Sequence, residues 1–320
     1  MNKKNIKKYL NYLGIKKNYK YKKIKCEICG SHKNKIIQEK ISWNNNKFGI
    51  LPVCCCLNCG FLFQNPRFEK IFYEKFYSEY YRKKIYKNIV PSKAFLKDQE
   101  KRGVNIYNFL RKNTKIKKGT VLDVGCSVGM MFKPFLKRGW TCIGNDPDYY
   151  YVEHGKKLNL PVEYLQAEDM KLKKKSVDLI IIAGSLEHCY DPNKVMHLCS
   201  QAAKKNSIIV LEARGEPRST SKVYFNHNHH RYFTLNSLEL IMMKYGWEPF
   251  LTTMYPISGP TREGGIWCLG SFKGKKNLKN FNKIIKNGKR ETYETLKFKL
   301  KYYDIINKKL NPHRGDYRNK

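Results

Sequence analysis

Val121-Leu-Asp-Val-Gly-Cys-Ser-Val-Gly129 is an apolar, strand-like run that breaks into a tight turn closed by Gly125 and Gly129. An acid, Asp146, follows at the end of a second short apolar run. Glycine lets backbone approach a ligand where a side chain would block it, and a carboxylate ending the next strand is placed to grip ribose hydroxyls. The pairing predicts a mononucleotide-type pocket and a nucleoside-bearing cofactor. Dinucleotide folds add a third glycine that brings helix and strand together over a pyrophosphate, and this turn has none. Asp123 stands instead inside the strand before the turn, suited to a ligand carrying an ammonium group.

An ammonium on a nucleoside cofactor points to S-adenosylmethionine (SAM), through its methionine part, and away from NAD. Downstream, Val177-Asp-Leu-Ile-Ile-Ile-Ala183 reads as a buried parallel strand that runs into Gly184-Ser-Leu-Glu-His-Cys-Tyr-Asp-Pro192. Ligands of open α/β sheets bind outside the carboxyl ends of the strands, so Glu187 and His188 fall on the same rim as the glycine turn and Asp146. The glycine turn, Asp146 and Glu-His-x-x-Asp-Pro from Glu187 to Pro192 together resemble the class I SAM-dependent methyltransferases. That resemblance covers roughly residues 100–272 and departs at Ser127, where the family often has a middle glycine. It implies an α/β fold with a Rossmann-like, seven-stranded, mostly parallel sheet and helices on both faces. It further implies SAM contacts from Asp123, Gly125, Cys126, Ser127, Gly129, Asp146 and Glu187, and from Gln166-Ala167-Glu168 after the third strand. Asp169 stands where related enzymes contact adenine, while Glu168 reads more safely as a surface acid.

Cys26-Glu-Ile-Cys29-Gly30 and Cys56-Leu-Asn-Cys59-Gly60 form two Cys-x-x-Cys knuckles. Four thiolates at that spacing can close a tetrahedral zinc site, and the glycine after each pair permits the turn that aims amides at sulfur. Cys54 and Cys55 compete for the register, but only Cys56 leaves two residues before Cys59. A redox pair would need one knuckle, so two favour structural zinc. Cys126, Cys142, Cys189, Cys199 and Cys268 lie in apolar surroundings and read as reduced core thiols.

The knuckles lead into Phe72-Tyr-Glu-Lys-Phe-Tyr-Ser-Glu-Tyr-Tyr81. This arrangement resembles a methyltransferase subgroup, including deoxysugar C-methyltransferases, in which a zinc-ribbon leader precedes the SAM domain and a tyrosine-bearing segment reaches over a sugar. Tyr77, Tyr80 and Tyr81 match that segment; aromatics that merely pack the leader on the core would look the same. Related enzymes also carry a histidine four residues before a phenylalanine, then a helix and Gly-aromatic, matched here by His229, Phe233, a helical pattern over residues 237–245 and Gly246-Trp247. His229 is the first candidate for a base, with loop anchoring as its other role. His230 and His188 are further catalytic candidates, and a metal site from His227, His229 and His230 is a third reading of the loop.

The domain reading is a basic leader over 1–25, a zinc ribbon over 26–66, a helical connector or lid over 67–115, a SAM-binding core over 116–272 and a basic C-terminal helical extension over 273–320. The formal charge of +38 invites a nucleic-acid partner. Lysine, however, far outnumbers the arginine that phosphate readers favour, so a compositional bias explains it better. No segment has the apolar length to span a bilayer, the amino terminus lacks a signal-peptide core, and eleven cysteines suit a reducing cytoplasm. The leading expectation is a SAM-dependent methyltransferase acting on a nucleotide-linked or glycan-bound sugar at oxygen or carbon. A zinc-containing RNA methyltransferase and a non-catalytic SAM-fold binding module are the alternatives.

Overall fold

The computed structural model describes residues 3–39, 42–44, 47–48, 51–213, 229–262, 265–274, 278–286 and 291–310. The chain opens with α1 (Lys3–Tyr12) and seven short strands, β1 (Tyr21–Lys22), β2 (Asn34–Gln38), β3 (Ser42–Asn44), β4 (Lys47–Phe48), β5 (Val53–Cys56), β6 (Leu62–Gln64) and β7 (Arg67–Phe68). Helix α2 (Lys70–Lys75) passes into a π-helical turn over Phe76–Tyr86, and α3 (Lys93–Asn113) follows, its first turn capped by the Ser92 hydroxyl accepting from the Phe95 N–H at 3.1 Å.

The core strands come next: β8 (Thr120–Val124), β9 (Thr141–Asp146), β10 (Val162–Tyr164), β11 (Val177–Ala183) and β12 (Ala203–Ala213), with helices α4 (Lys133–Leu136), α5 (Tyr149–Lys157) and α6 (Pro192–Ala202) between them. After the short β13 (Arg231–Tyr232) come α7 (Leu235–Lys244), β14 (Trp247–Thr253), β15 (Ile266–Phe272), α8 (Leu278–Lys286) and α9 (Tyr293–Leu310). Seven strands form one sheet in the order β10-β9-β8-β11-β12-β15-β14. Its pairs are parallel as far as β12, and β15 runs against both of its neighbours. This is a Rossmann-like arrangement, and the order in which strands are added reverses between the parallel neighbours β8 and β11, where such sheets hold their ligands.

Side chains alternate across that sheet with a period of two. Val121, Leu179, Ile181 and Val210 enter a core with α3 and α5 residues such as Ile106, Leu110 and Val152. Leu122, Val124, Ile180, Ile182 and Ile209 face the other way, against Val195, Met196 and Cys199 of α6 and Leu238, Ile241 and Met242 of α7. The period explains why the central strands are apolar throughout while the helices are not.

The N-terminal residues pack more tightly than a basic leader would. Tyr9 and Leu13 are fully buried and join Leu51, Phe68, Phe72 and Phe76 in a third core, to which Leu296 of α9 also belongs. Lys3, Lys4, Lys7 and Lys8 therefore lie on a folded helix whose other face buries Ile6, Tyr9 and Leu10. The C-terminal segment lies on the protein itself: Phe281 and Ile285 of α8 join the α6–α7 core, and the Tyr293 hydroxyl donates to the Ile36 carbonyl at 3.1 Å. Side chains from residue 302 onward, including Tyr303, lie outside the described residues. Among the described residues no helix is long and apolar enough to cross a membrane.

The histidine-rich stretch after the fifth core strand is only partly described: residues 214–228, His227 among them, lie outside the described residues. Beyond them, β13 joins the N-terminal sheet, whose order is β13-β6-β5-β2, with Arg231 opposite Phe63 and Tyr232 opposite Leu62. Arg231 and Tyr232 thus form an edge strand of the small module.

Gly103 offers a direct test of the α3 packing. A Cβ there would lie 2.4 Å from the Met131 carbonyl oxygen, a backbone atom just past the glycine turn. Gly103→Ala is expected to cost about 1–3 kcal/mol in denaturant unfolding, the usual penalty of forced overpacking; an unchanged midpoint would show that α3 is free to move.

Candidate active site and thiolate centre

The glycine turn follows from backbone sterics. Gly125 and Gly129 take φ of 76° and 84°, and a Cβ on Gly125 would lie 2.4 Å from the Ser185 Cβ. Ser127 also adopts a positive φ, 56°, the conformation that explains why glycine is common at this place. The Gly125 and Cys126 N–H groups donate to the Asn145 carbonyl, at 2.9 and 3.0 Å. Asp146 is fixed by the same turn: one carboxylate oxygen accepts the Ser127 N–H at 2.8 Å and the other the Asp148 N–H at 2.9 Å. A carboxylate has about four lone-pair sites, so further acceptor capacity remains for hydroxyls.

Asp123 is the electrostatic anomaly of the rim. It is 1% exposed, and neither carboxylate oxygen has a hydrogen-bond partner. Burial pushes its pKa up to about 7, against the lowering effect of Arg102 and with a further rise from Asp146. Near it, Arg102 of α3 is buried, donates to Glu212 at 3.2 Å, and keeps its Nε without a partner, as does the Gln99 amide oxygen. Buried polar atoms normally find partners, so these orphans mark a place shaped for a polar ligand with a cationic and an anionic group. A cofactor with an α-amino acid end fits: ammonium toward Asp123, carboxylate toward Arg102. Arg102 and Gln99 were not legible as site residues, because both fall inside an ordinary lysine-rich helix.

After β10, Gln166, Glu168, His188, Tyr77, Tyr73 and Tyr190 line one cleft with Lys70 and Glu74. Glu168 is no surface acid; it is 4% exposed and accepts the Asp191 N–H at 2.9 Å, while Ala167 packs in the core. Asp169 is the exposed one, 3.5 Å from Lys194. At the end of β11, Glu187 is buried, and its carboxylate lies within 4.8 Å of ring nitrogens of His188 and His229. The two imidazoles meet edge to face, centroids 4.6 Å apart, and the Tyr77 hydroxyl is 2.9 Å from His188 Nδ1. Three separated sequence candidates, Tyr77, His188 and His229, thus stand together.

His230 does not join them. It is fully buried, with Nδ1 3.1 Å from the Cys189 carbonyl and its ring 3.9 Å from that of Tyr73. Burial, and then the charges of Arg231, Arg67 and His188, hold its pKa far below the ordinary imidazole value. As a candidate base it is corrected to a neutral loop anchor.

The four knuckle cysteines also converge. Cys26 and Cys59 sulfurs are 3.5 Å apart, Cys29 and Cys56 are 3.6 Å apart, and all four lie within 4.8 Å of one another. Zn–S bonds of about 2.3 Å in a tetrahedron place sulfurs roughly 3.8 Å apart, so the donor set fits that ion. The knuckles are near copies: Gly30 N–H donates to Cys26 O at 2.8 Å and Gly60 N–H to Cys56 O at 2.9 Å, both glycines at φ near 75°. Cys54 and Cys55 point elsewhere, with Cys54 Sγ 3.3 Å from the Asn65 carbonyl. All described cysteines are free thiols.

Sequence reasoning missed the ion network beside this centre. Glu27, within the first knuckle, accepts from Arg231 Nε at 2.9 Å and Nη2 at 2.8 Å, and Arg67 Nη1 stands 2.9 Å away. Burial alone would raise the Glu27 pKa, but Arg231 and Arg67 outweigh it and hold the carboxyl below its ordinary value.

With fold and site in place, the chain reads as a Rossmann-like α/β unit joined to a thiolate module. Residues 95–251 match the family model described as a methyltransferase domain. Two curated relatives are ubiquinone biosynthesis O-methyltransferases, from Rhodopseudomonas palustris (28% identical over 97 residues, 28% of this chain and 38% of the relative) and Pelagibacter ubique (31% over 105 residues, 31% and 42%). The chain thus spans about four-tenths of the length of these relatives. A Thermotoga maritima structure described as a SAM-dependent methyltransferase, possible histamine N-methyltransferase, is 18% identical with a TM-score of 0.43, covering 56% of this chain and 93% of its own. The family-model match over residues 95–251 leaves the knuckles outside it.

The Asp123 carboxyl sets a pH dependence. Its folded pKa of about 7 lies above the ordinary 3.8, so the folded state holds the proton more tightly. Its contribution to stability is complete below about pH 4 and is lost as pH rises through about 7. Asp123→Asn should flatten that decline in the unliganded protein, read as thermal midpoints across the window; a parallel pH curve would show an ordinary Asp123 pKa.

Proposed function

We propose that the chain is a SAM-dependent methyltransferase acting on a small-molecule acceptor, with a structural zinc on Cys26, Cys29, Cys56 and Cys59. The observation that carries the reading is the buried, unpartnered Asp123 carboxylate behind the glycine turn, one strand from Asp146. Asp123 holds the ammonium of the donor, with Arg102 and Gln99 on the amino-acid carboxylate. Asp146 takes the ribose hydroxyls, the Gly125–Gly129 backbone closes on the adenosine, and Gln166, Ala167 and Glu168 border the base. Cys126 and Ser127 shape the floor, and Glu187 stands at its acceptor edge beside His188 and His229.

When bound, SAM supplies an electrophilic methyl group whose C–S electron pair leaves with the sulfur as a neutral thioether. His229 accepts the proton that the acceptor loses as its oxygen or carbon bonds to that methyl. Tyr77 engages Nδ1 of His188 and so orients the second imidazole toward the acceptor. Positioning of this kind is worth up to about 7–11 kcal/mol in the best intramolecular systems, and a placed base adds about two to four powers of ten.

The zinc-ribbon leader with its tyrosine segment supports a sugar acceptor, nucleotide-linked or glycan-bound, methylated at carbon or oxygen. A second reading, O-methylation of a ring hydroxyl, draws on the curated relatives named above. Incubation with methyl-labelled SAM and a panel of nucleotide sugars, hydroxylated aromatic rings and RNA tests both. Label on a sugar is the expected result, label on a ring or RNA moves the acceptor class, and failure to bind SAM overturns the methyltransferase.

Asp146→Ala is expected to weaken SAM binding at least about tenfold in calorimetry, the loss of a charge-assisted pair of hydrogen bonds. His229→Ala should lower turnover by about 10²–10⁴ while SAM affinity stays within about twofold. Wild-type turnover would return His229 to an anchoring role.

A further inference from the structure

We infer that Arg231 is a positioning residue for the acceptor side of the site, and that Glu27 holds it there only while the four-thiolate centre is closed around its metal. Its catalytic consequence rests on the methyltransferase reading; its structural content does not.

Arg231 is fully buried and spends its whole fork on one carboxylate and three backbone carbonyls. Nε and Nη2 grip Glu27, at 2.9 and 2.8 Å. Nη1 donates to the carbonyls of Leu186, at 2.8 Å, and Cys189, and Nη2 reaches that of Tyr190 at 3.2 Å. Those carbonyls bracket Glu187 and His188. The same backbone carries His229 two residues earlier, and the His230 N–H donates to the Glu187 carbonyl at 2.9 Å. One guanidinium therefore fixes the turn that bears His188 to the segment that bears His229.

Both knuckles hold this arrangement. The first supplies Glu27, whose carbonyl also accepts Lys244 Nζ at 2.8 Å. The second leads directly into β6, the partner of β13, where the Gln64 N–H donates to the His230 carbonyl at 2.9 Å and its side chain to that of His229. Residues 26–29 and 56–59 meet through sulfur pairs at 3.5 and 3.6 Å. Thiolates so close repel unless a cation lies among them, and protonated thiols lose the attraction that gathers them. With the metal gone, Glu27 is freed to withdraw, and Arg231 and Arg67 become two like charges buried side by side. The 186–190 turn and His229 then move together. The donor half hangs on β8 and β9, and it meets this segment only beyond the ends of the 186–190 turn, through the Ser185 hydroxyl on the Val124 carbonyl and the Asp191 N–H on Glu168, so it stays.

The test uses the full chain with ring-labelled histidines, before and after removal of metal by a high-affinity zinc chelator, with SAM affinity measured on the same samples. The expected result is a displacement of the His188 and His229 ring resonances and of their titration midpoints, with His154 and His197 unmoved and SAM affinity within about twofold. Glu27→Gln, with metal bound, should reproduce the displacement and leave chelation little more to do, and Glu27→Asp should restore part of it. Unmoved His188 and His229 after chelation overturn the proposal, as does an equal response to chelation in Glu27→Gln. Movement of His154 and His197 with loss of SAM binding overturns it too, since the metal would then hold the whole fold. If the untreated protein binds no SAM, the methyltransferase reading falls while the histidine comparison still decides this one.

Discussion

One carboxylate between two guanidiniums constrains where the acceptor half of the site can stand. Glu27, Arg231 and Arg67 are nearly dry, and moving such ions out of water costs several kcal/mol each before their attraction repays it. Apolar residues of equal volume would stabilise the same space at least as well. A hydrophobic cluster, though, has no directions, whereas a bidentate pair fixes angle and distance, and the remaining arginine donors fix three carbonyls more. The geometry thus serves placement, and breaking one partner of such a network typically costs about 3–5 kcal/mol.

That constraint divides the rim of the sheet into two halves with different supports. Asp123, the glycine turn and Asp146 belong to β8, β9 and their turns, held by parallel ladders and by the Ser127 and Asp148 amides. Tyr77, His188 and His229 come from a π-helical turn, the turn after β11 and the residues just before β13, an edge strand of another sheet. The proposed donor half is local, and the proposed acceptor half is assembled from distant segments. Rossmann-like cores carry the cofactor on their own strands and leave the acceptor to whatever is added at the edges, which here is the thiolate module.

The legible parts of the sequence were those whose physics is local. The β8 turn needs positive φ at fixed offsets, β11 is apolar because both faces are covered, and each knuckle repeats its ligands within four residues. Glu27 and Arg231 are 204 residues apart, and nothing in their immediate neighbours announces the pair. β13 is two residues long and pairs with β6, so no period could reveal it. Arg102 and Gln99 hid in a helix whose other polar residues face water. One signal was present but unread: in a chain that uses lysine wherever charge alone suffices, an arginine marks a position that needs the fork. Arg67, Arg102 and Arg231 are all buried and ion-paired.

The neighbouring histidines show why type and position in a motif fall short of assigning a role. His229 and His230 are adjacent, just before β13, yet their rings enter different surroundings. His230 lies against Tyr73 and beneath the charges of Arg231 and Arg67, where a proton would add another cation to a buried positive cluster. An imidazole in such a place cannot take a proton from an acceptor without expelling it again. His229, with its ring against His188 and near the Glu187 carboxylate, has an anion close enough to stabilise the protonated form that a base must pass through. The proposed base therefore follows from which of the two adjacent rings lies toward Glu187, and the His230 N–H on the Glu187 carbonyl and the Gln64 N–H on the His230 carbonyl hold that arrangement.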